Sequence, residues 1–163
     1  MSTIEQYKTG KAGESVRLAY EAMKALEQPL QETQLAELFN KHLDDLQPLK
    51  VDEKMAFAFI DKADRCAIGD RLCECEFPDA PHTTAVFLEE LADAMVEVGK
   101  AAYASKEEAK AAITKYQGKP LVVSKVSGEY REICRTWPKY CFYWNIEKHG
   151  MKCLKRPEGR DSD

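Results

Sequence analysis

The stretch TTAVFLEELADAMVEVGKAAYA, Thr83 to Ala104, decides how the chain is read. Phe87, Leu88, Leu91, Ala92, Met95, Val96, Ala102 and Tyr103 recur at helical spacing, and Thr83 or Thr84 suits the start. Val98 and Ala101 widen the apolar arc beyond one stripe. One helix over 84–104 is expected, buried on more than one side, at the centre of the domain or in a dimer contact.

Outward from it, Ser105 and Glu108 form a Ser-x-x-Glu capping box for a second helix. This helix is expected to run to about Tyr116 and stop before Gly118 and Pro120. The pair would form a hairpin that returns the chain to its start. Upstream, residues 15–28 place Val16, Ala19, Tyr20, Met23 and Leu26 on one helical face. Residues 32–46 do the same with Leu35, Leu38, Phe39, His42, Leu43 and Leu46. Asp52 is a good N-cap for a further helix carrying Met55, Phe59, Ile60, Ala63 and Cys66 inward, with Gly69 as its stop.

Downstream, Leu121 to Val126 is β-branched and reads as a short strand, followed by a Ser127-Gly128 turn. Residues 138–149 fit a helix between Pro138 and Gly150, while Cys141-Phe142-Tyr143-Trp144 also suits a strand. The expected fold is mostly α: a single helical domain over 14–155 with a small cysteine-rich α+β C-terminal part holding one short strand or hairpin. Residues 1–13 and 156–163 read as a flexible N-terminus and tail.

With 163 residues and 44% apolar side chains, the chain suits one domain with its own core. No apolar run approaches the roughly 20 residues that span a bilayer, and 1–13 lacks the apolar stretch of a secretory signal. A cytoplasmic protein without a membrane partner is expected. The formal net charge of −4 argues against a nucleic-acid binder. The charge divides as −3 over residues 1–65, −5 over 66–118 and +4 over 119–163. The basic tail, Lys152 to Arg160, lacks the stacking aromatics of a sequence reader.

The functional lead is cysteine. Six are present, in two triplets: Cys66, Cys73 and Cys75, then Cys134, Cys141 and Cys153, with 58 residues between Cys75 and Cys134. Disulfides are rare in the cytosol, where thiolate clusters hold zinc or iron–sulfur centres. The chain has no Cys-x-x-Cys knuckle, the usual mark of zinc, whereas iron–sulfur clusters accept more varied spacings. Cys73-x-Cys75 on extended chain points both side chains to one side.

Trp137, Tyr140, Phe142, Tyr143 and Trp144 would exclude water from a cluster, and Arg131, Arg135, Lys139, Lys148 and Lys152 would offset its charge. Cys73, Cys75 and Cys134 are the first ligand candidates for a 4Fe-4S cluster, with the fourth from Cys66, Cys141 or Cys153. Cys66 and Cys141 also suit plain core. His42 reads as a core histidine, while His82 and His149 are secondary ligand candidates.

Gly-x-Gly-x-x-Gly, Walker A, His-Glu-x-x-His and Gly-x-Ser-x-Gly motifs are missing. The expected function is a cytosolic cysteine-ligated metal protein, an iron–sulfur electron carrier or redox sensor with a redox partner protein, monomeric or homodimeric. The alternatives are an interaction module with structural zinc and a thiol-dependent redox enzyme using Cys73 and Cys75.

Overall fold

The stretch that reads as one long helix is a strand, a helix and a second strand: β at Thr84–Leu88, α at Glu89–Glu97 and β at Ala101–Ala104. The computed structural model describes residues 3–71, 84–116 and 118–156. Its elements in chain order are α1 (Ile4–Thr9), α2 (Lys11–Lys24), α3 (Leu35–Leu46), β1 (Leu49–Val51), α4 (Glu53–Lys62), β2 (Cys66–Asp70), β3 (Thr84–Leu88), α5 (Glu89–Glu97), β4 (Ala101–Ala104), α6 (Lys106–Thr114), β5 (Leu121–Val126), β6 (Glu129–Arg135) and α7 (Phe142–Lys148).

The mostly helical expectation is overturned by a six-stranded sheet of order β1-β5-β6-β3-β2-β4, with every neighbouring pair antiparallel. The physical reason lies in β3. It has strands on both sides and core on both faces. Val86 and Leu88 enter one apolar cluster, Ala85 and Phe87 the other. A strand buried on both faces has no polar alternation, and its apolar run is indistinguishable by period from a buried helix. Gly99, at φ +75°, then closes α5. Its N–H bonds Val96 O and that of Lys100 bonds Met95 O, the paired pattern of a helix stopped by a left-handed residue. Val98, expected inside, sits at this C-cap and is 37% exposed.

Cys66 and Gly69, read as a helix end, lie in β2, because α4 stops at Lys62. A Cβ on Gly69 would sit 2.5 Å from Lys100 O and 3.0 Å from Phe87, so glycine lets β4 and β3 close around β2. Residues 4–9, within the expected flexible N-terminus, form α1 with a Thr3–Gln6 capping box and bury Tyr7. The Ser105–Glu108 capping box opens α6. β5 covers Leu121–Val126, and Ser127 and Gly128, both at positive φ, turn it into β6. The segment around Phe142 is helical.

Helices cover both faces of the sheet. On the first, Ala56 and Ile60 of α4 and Ala109 and Ile113 of α6 pack on Cys66, Val86, Leu121, Val123 and Ile133. On the second, Tyr7 of α1 and Leu91, Ala92 and Met95 of α5 pack on Ala67, Ala85 and Phe87. Met23 of α2, Phe39 and Leu43 of α3, and Phe142 and Ile146 of α7 form a third cluster beside them. The outer edge of β1 is covered by the C-terminal chain, through Lys50 N–H to Lys155 O and Lys155 N–H to Pro48 O.

Candidate functional site

Period two along β6 turns Glu132 and Cys134 to the same face, away from Ile133. The same parity along Ala67, Gly69 and Arg71 brings Arg71, just past the end of β2, to that face as well. Over them lie α2, α3 and α7. Between the helices and the sheet is a cavity of about 370 Å³. Val16, Ala19, Leu35, Phe39 and Phe142 form its apolar walls, and Arg71, Glu132, Cys134 and Cys141 bring polar atoms to it. Leu18 and Leu38 also line it, although they are 62% and 50% exposed. The cavity therefore opens to solvent past two leucines, one from α2 and one from α3.

Glu132 is the unusual group. It is 5% exposed. Its Oε1 accepts a hydrogen bond from the Tyr7 hydroxyl at 2.6 Å and a longer one from Ser124 at 3.4 Å, and the Cys134 thiol also bonds the carboxyl. Its Oε2 is buried without a hydrogen-bond partner. Burial pushes the Glu132 carboxyl above its ordinary range, against the lowering effect of its hydrogen bonds. Burial, followed by the nearby Glu132 charge, pushes Tyr7 well upward, so its hydroxyl stays a donor. Buried carboxyl oxygens are nearly always paired in folded proteins. Arg71 is 2% exposed and is not without an interaction partner.

The four described cysteines do not share one site. Cys66 lies in the first-face core, with its thiol donating to Ala104 O at 3.3 Å and its acidity weakened by burial. The sheet separates it from Cys134, so its place as an alternate ligand is withdrawn. Cys134 and Cys141 both line the cavity. Cys153 packs on the third cluster, its thiol bonded to Tyr143 O at 3.3 Å and pushed well up by burial. Cys73, Cys75 and His82 lie outside the described residues. Among the described residues, no three His, Cys, Asp or Glu side chains converge as metal ligands. His42, expected in the core, is exposed at the cavity mouth. His149 ends α7, with Nδ1 2.8 Å from Asn145 O.

Three of the cations assigned to the second triplet are directed elsewhere. Arg135 donates to Ile113 O, to Lys119 O at 2.6 Å and to Glu53 at 2.8 Å, while Arg131 pairs with Glu90 at 3.1 Å. Lys148 reaches Pro138 O at 3.4 Å. The cation at the cavity is Arg71, which sequence reasoning missed, as it missed Tyr7 and Glu132. Glu132 was legible in principle: once Glu129–Arg135 is taken as a strand, it shares a face with Cys134 two residues on.

Comparison of the chain with protein-family models, with curated proteins and with solved structures finds no match. Among the described residues, no helix is long and apolar enough to cross a membrane.

Proposed function

We infer that this chain binds a small, largely apolar molecule in the cavity between the helical layer and β6. The observation that carries the reading is an apolar-walled cavity of about 370 Å³ with the buried Glu132 among its lining residues. Ligand sites are concave, mostly apolar and furnished with a few fixed polar groups, from about 300 Å³ upward. Packing normally closes a volume of this kind, and a bound molecule fills it. The test is titration with naphthalene, followed by its fluorescence. The native chain is expected to bind saturably, about one per chain. Ala19→Trp, which fills the cavity from α2, is expected to abolish binding with the far-ultraviolet circular dichroism unchanged. Equal binding by a folded Ala19→Trp variant would place the site elsewhere.

A second reading keeps cysteine chemistry, because Cys134 and Cys141 line the same cavity and Cys73-x-Cys75 starts two residues after Arg71, which lines it too. On this reading the four thiolates hold an iron–sulfur cluster, with zinc as the alternative, in a cytoplasmic redox carrier or sensor that meets a redox partner protein. Anaerobic reconstitution tests it. A visible chromophore lost in Cys134→Ser and Cys73→Ser supports the cluster. A colourless chain with one tightly held zinc supports the alternative. A chain that takes up neither removes the reading.

A further inference from the structure

We propose that the end of the sheet where β5 begins and β6 ends binds single-stranded nucleic acid without sequence preference. The Trp137 ring is the platform for a base, and the ammonium groups of Lys119, Lys139 and Lys148 are the phosphate contacts. None of these four side chains lines the cavity, so the inference stands apart from the small-ligand reading.

The strand ends bring these groups together. Thr136, the residue after β6, donates its N–H to Pro120 O at 2.7 Å and its hydroxyl to the same oxygen at 2.9 Å. This bond sets Lys119 beside Trp137, and Lys119 Nζ lies 4.2 Å from the centre of the indole ring. The indole N–H of Trp144 in α7 donates to Thr136 Oγ1 at 2.9 Å and ties α7 to the same strand end. The buried Asn145 amide donates to the carbonyls of Pro138, Lys139 and Cys141, which clamps the connection carrying Lys139 onto α7. Lys148, the last residue of α7, reaches back to Pro138 O at 3.4 Å. Three lysines from separate pieces of chain thus come to one end of the sheet, beside a half-buried indole.

The whole-chain charge of −4 hides this surface. From Gly118 to Arg156 the chain carries nine Lys and Arg against three carboxylates. Glu132 is buried, and Glu147 pairs with Arg156 at 3.2 Å. Glu129 opens β6, about 20 Å along the strand from Arg135 at the usual rise per residue. Among the described residues, no ion pair reaches Lys119, Lys139 or Lys148, whereas Arg135 and Arg156 each hold a carboxylate. Ammonium groups without a counter-charge, gathered at one place, attract a polyanion. The indole selects among polyanions, because only one with flat bases gains by stacking, and such stacking tolerates any sequence. A lysine stem is flexible, so a base takes the ring face while the ammonium of Lys119 swings to the phosphate.

Trp137 and Trp144 are the two tryptophans of the chain, so indole fluorescence reports this face alone. The probes are oligothymidylate and oligouridylate of about ten residues, within the site sizes of single-strand binders. Heparin and phosphatidylserine vesicles serve as polyanions without bases. An oligonucleotide is expected to bind the whole chain saturably at low salt and to quench the indole emission, which heparin leaves unchanged. The tighter of the two names DNA or RNA. Affinity is expected to fall with salt at a log–log slope of about −2, as three phosphate contacts on a single strand give. The triple variant K119Q/K139Q/K148Q is expected to bind about tenfold more weakly or worse. Trp137→Leu is expected to lose about fivefold or more, the effect of one stacked base. The lysine variant alters no buried residue and decides the matter by itself. Failure of both oligonucleotides to bind, with or without binding of heparin or vesicles, overturns the proposal. Binding without quenching, or unchanged affinity in the lysine variant, overturns it too.

Discussion

The Tyr7 hydroxyl and the Glu132 carboxyl, 125 residues apart, meet at 2.6 Å beneath the helical layer. One residue comes from a six-residue helix at the N-terminus and the other from β6. This bond fixes the Glu132 carboxyl through one of its oxygens. It also docks α1 on the sheet. Tyr7→Phe is expected to lower the unfolding free energy by about 1–3 kcal/mol, the usual cost of removing one partner of a buried polar pair. Urea denaturation measures it. A loss below about 0.3 kcal/mol would mean that the bond is not formed in solution.

Glu132 gives the fold a distinct pH signature. Its folded carboxyl is raised by burial above the ordinary 4.5, so above that pH the folded state holds a proton that the unfolded chain has released. Stability contributed by this group is therefore present below pH 4.5 and lost as pH rises from there through the folded value. Glu132→Gln removes that loss. The stability of the variant relative to the native chain is expected to improve as pH rises through this window, by no more than about 1.4 kcal/mol per pH unit. Unfolding curves from pH 4 to 8 check the sign, and a difference that moves the other way contradicts the burial of the carboxyl.

How much of this was legible depended on whether a segment was buried on one side or two. Residues 105–114 announced themselves, because Ser105 and Glu108 bond reciprocally within four residues. Leu121–Val126 did too, since it is too short and too β-branched for a helix. Ala85 to Leu88 did not, because its burial depends on β2 and β6, which pair with it from distant sequence. The same long-range pairing hid the site. Cys134 is visible as a cysteine, but that it faces Glu132 and Tyr7 while Cys66 faces away follows only from strand parity and the sheet between them. The cysteine count drew attention to the end of β6 without giving its partners.

Gly69 tests the sheet directly. Gly69→Ala would set a methyl against Lys100 O and Phe87, and is expected to cost about 2 kcal/mol. Amide exchange should then speed up most across the β2–β4 ladder, from Cys66 to Gly69 and from Ala101 to Ala104. A fully stable variant with unchanged exchange would argue that β4 does not pair there.

Phe39 supports the cavity wall. It is 2% exposed and lies 5.7 Å from the Phe142 ring. Phe39→Ala is expected to cost about 3–5 kcal/mol by thermal or urea unfolding, as large-to-small changes in a core do. A cost under about 1 kcal/mol would mean that α3 and α7 are not packed together over the sheet.

Cys66 separates the cysteines by face. Cys66→Ala is expected to leave both naphthalene binding and any chromophore from anaerobic reconstitution at full strength, because its thiol points to Ala104 on the far side of the sheet. Loss of either in a folded variant would put Cys66 back among the functional thiols.

The central claim is that a small apolar molecule enters between α2 and α3 and rests on β6. Methyl resonances of Ala19, Leu18, Leu35 and Leu38, followed while naphthalene is added to the whole chain, test it most directly. The account predicts saturable shifts in these four, while the methyls of Ile60 and Ile113 on the opposite face stay in place. Shifts centred on Ile60 and Ile113, or none at saturating naphthalene, would contradict it.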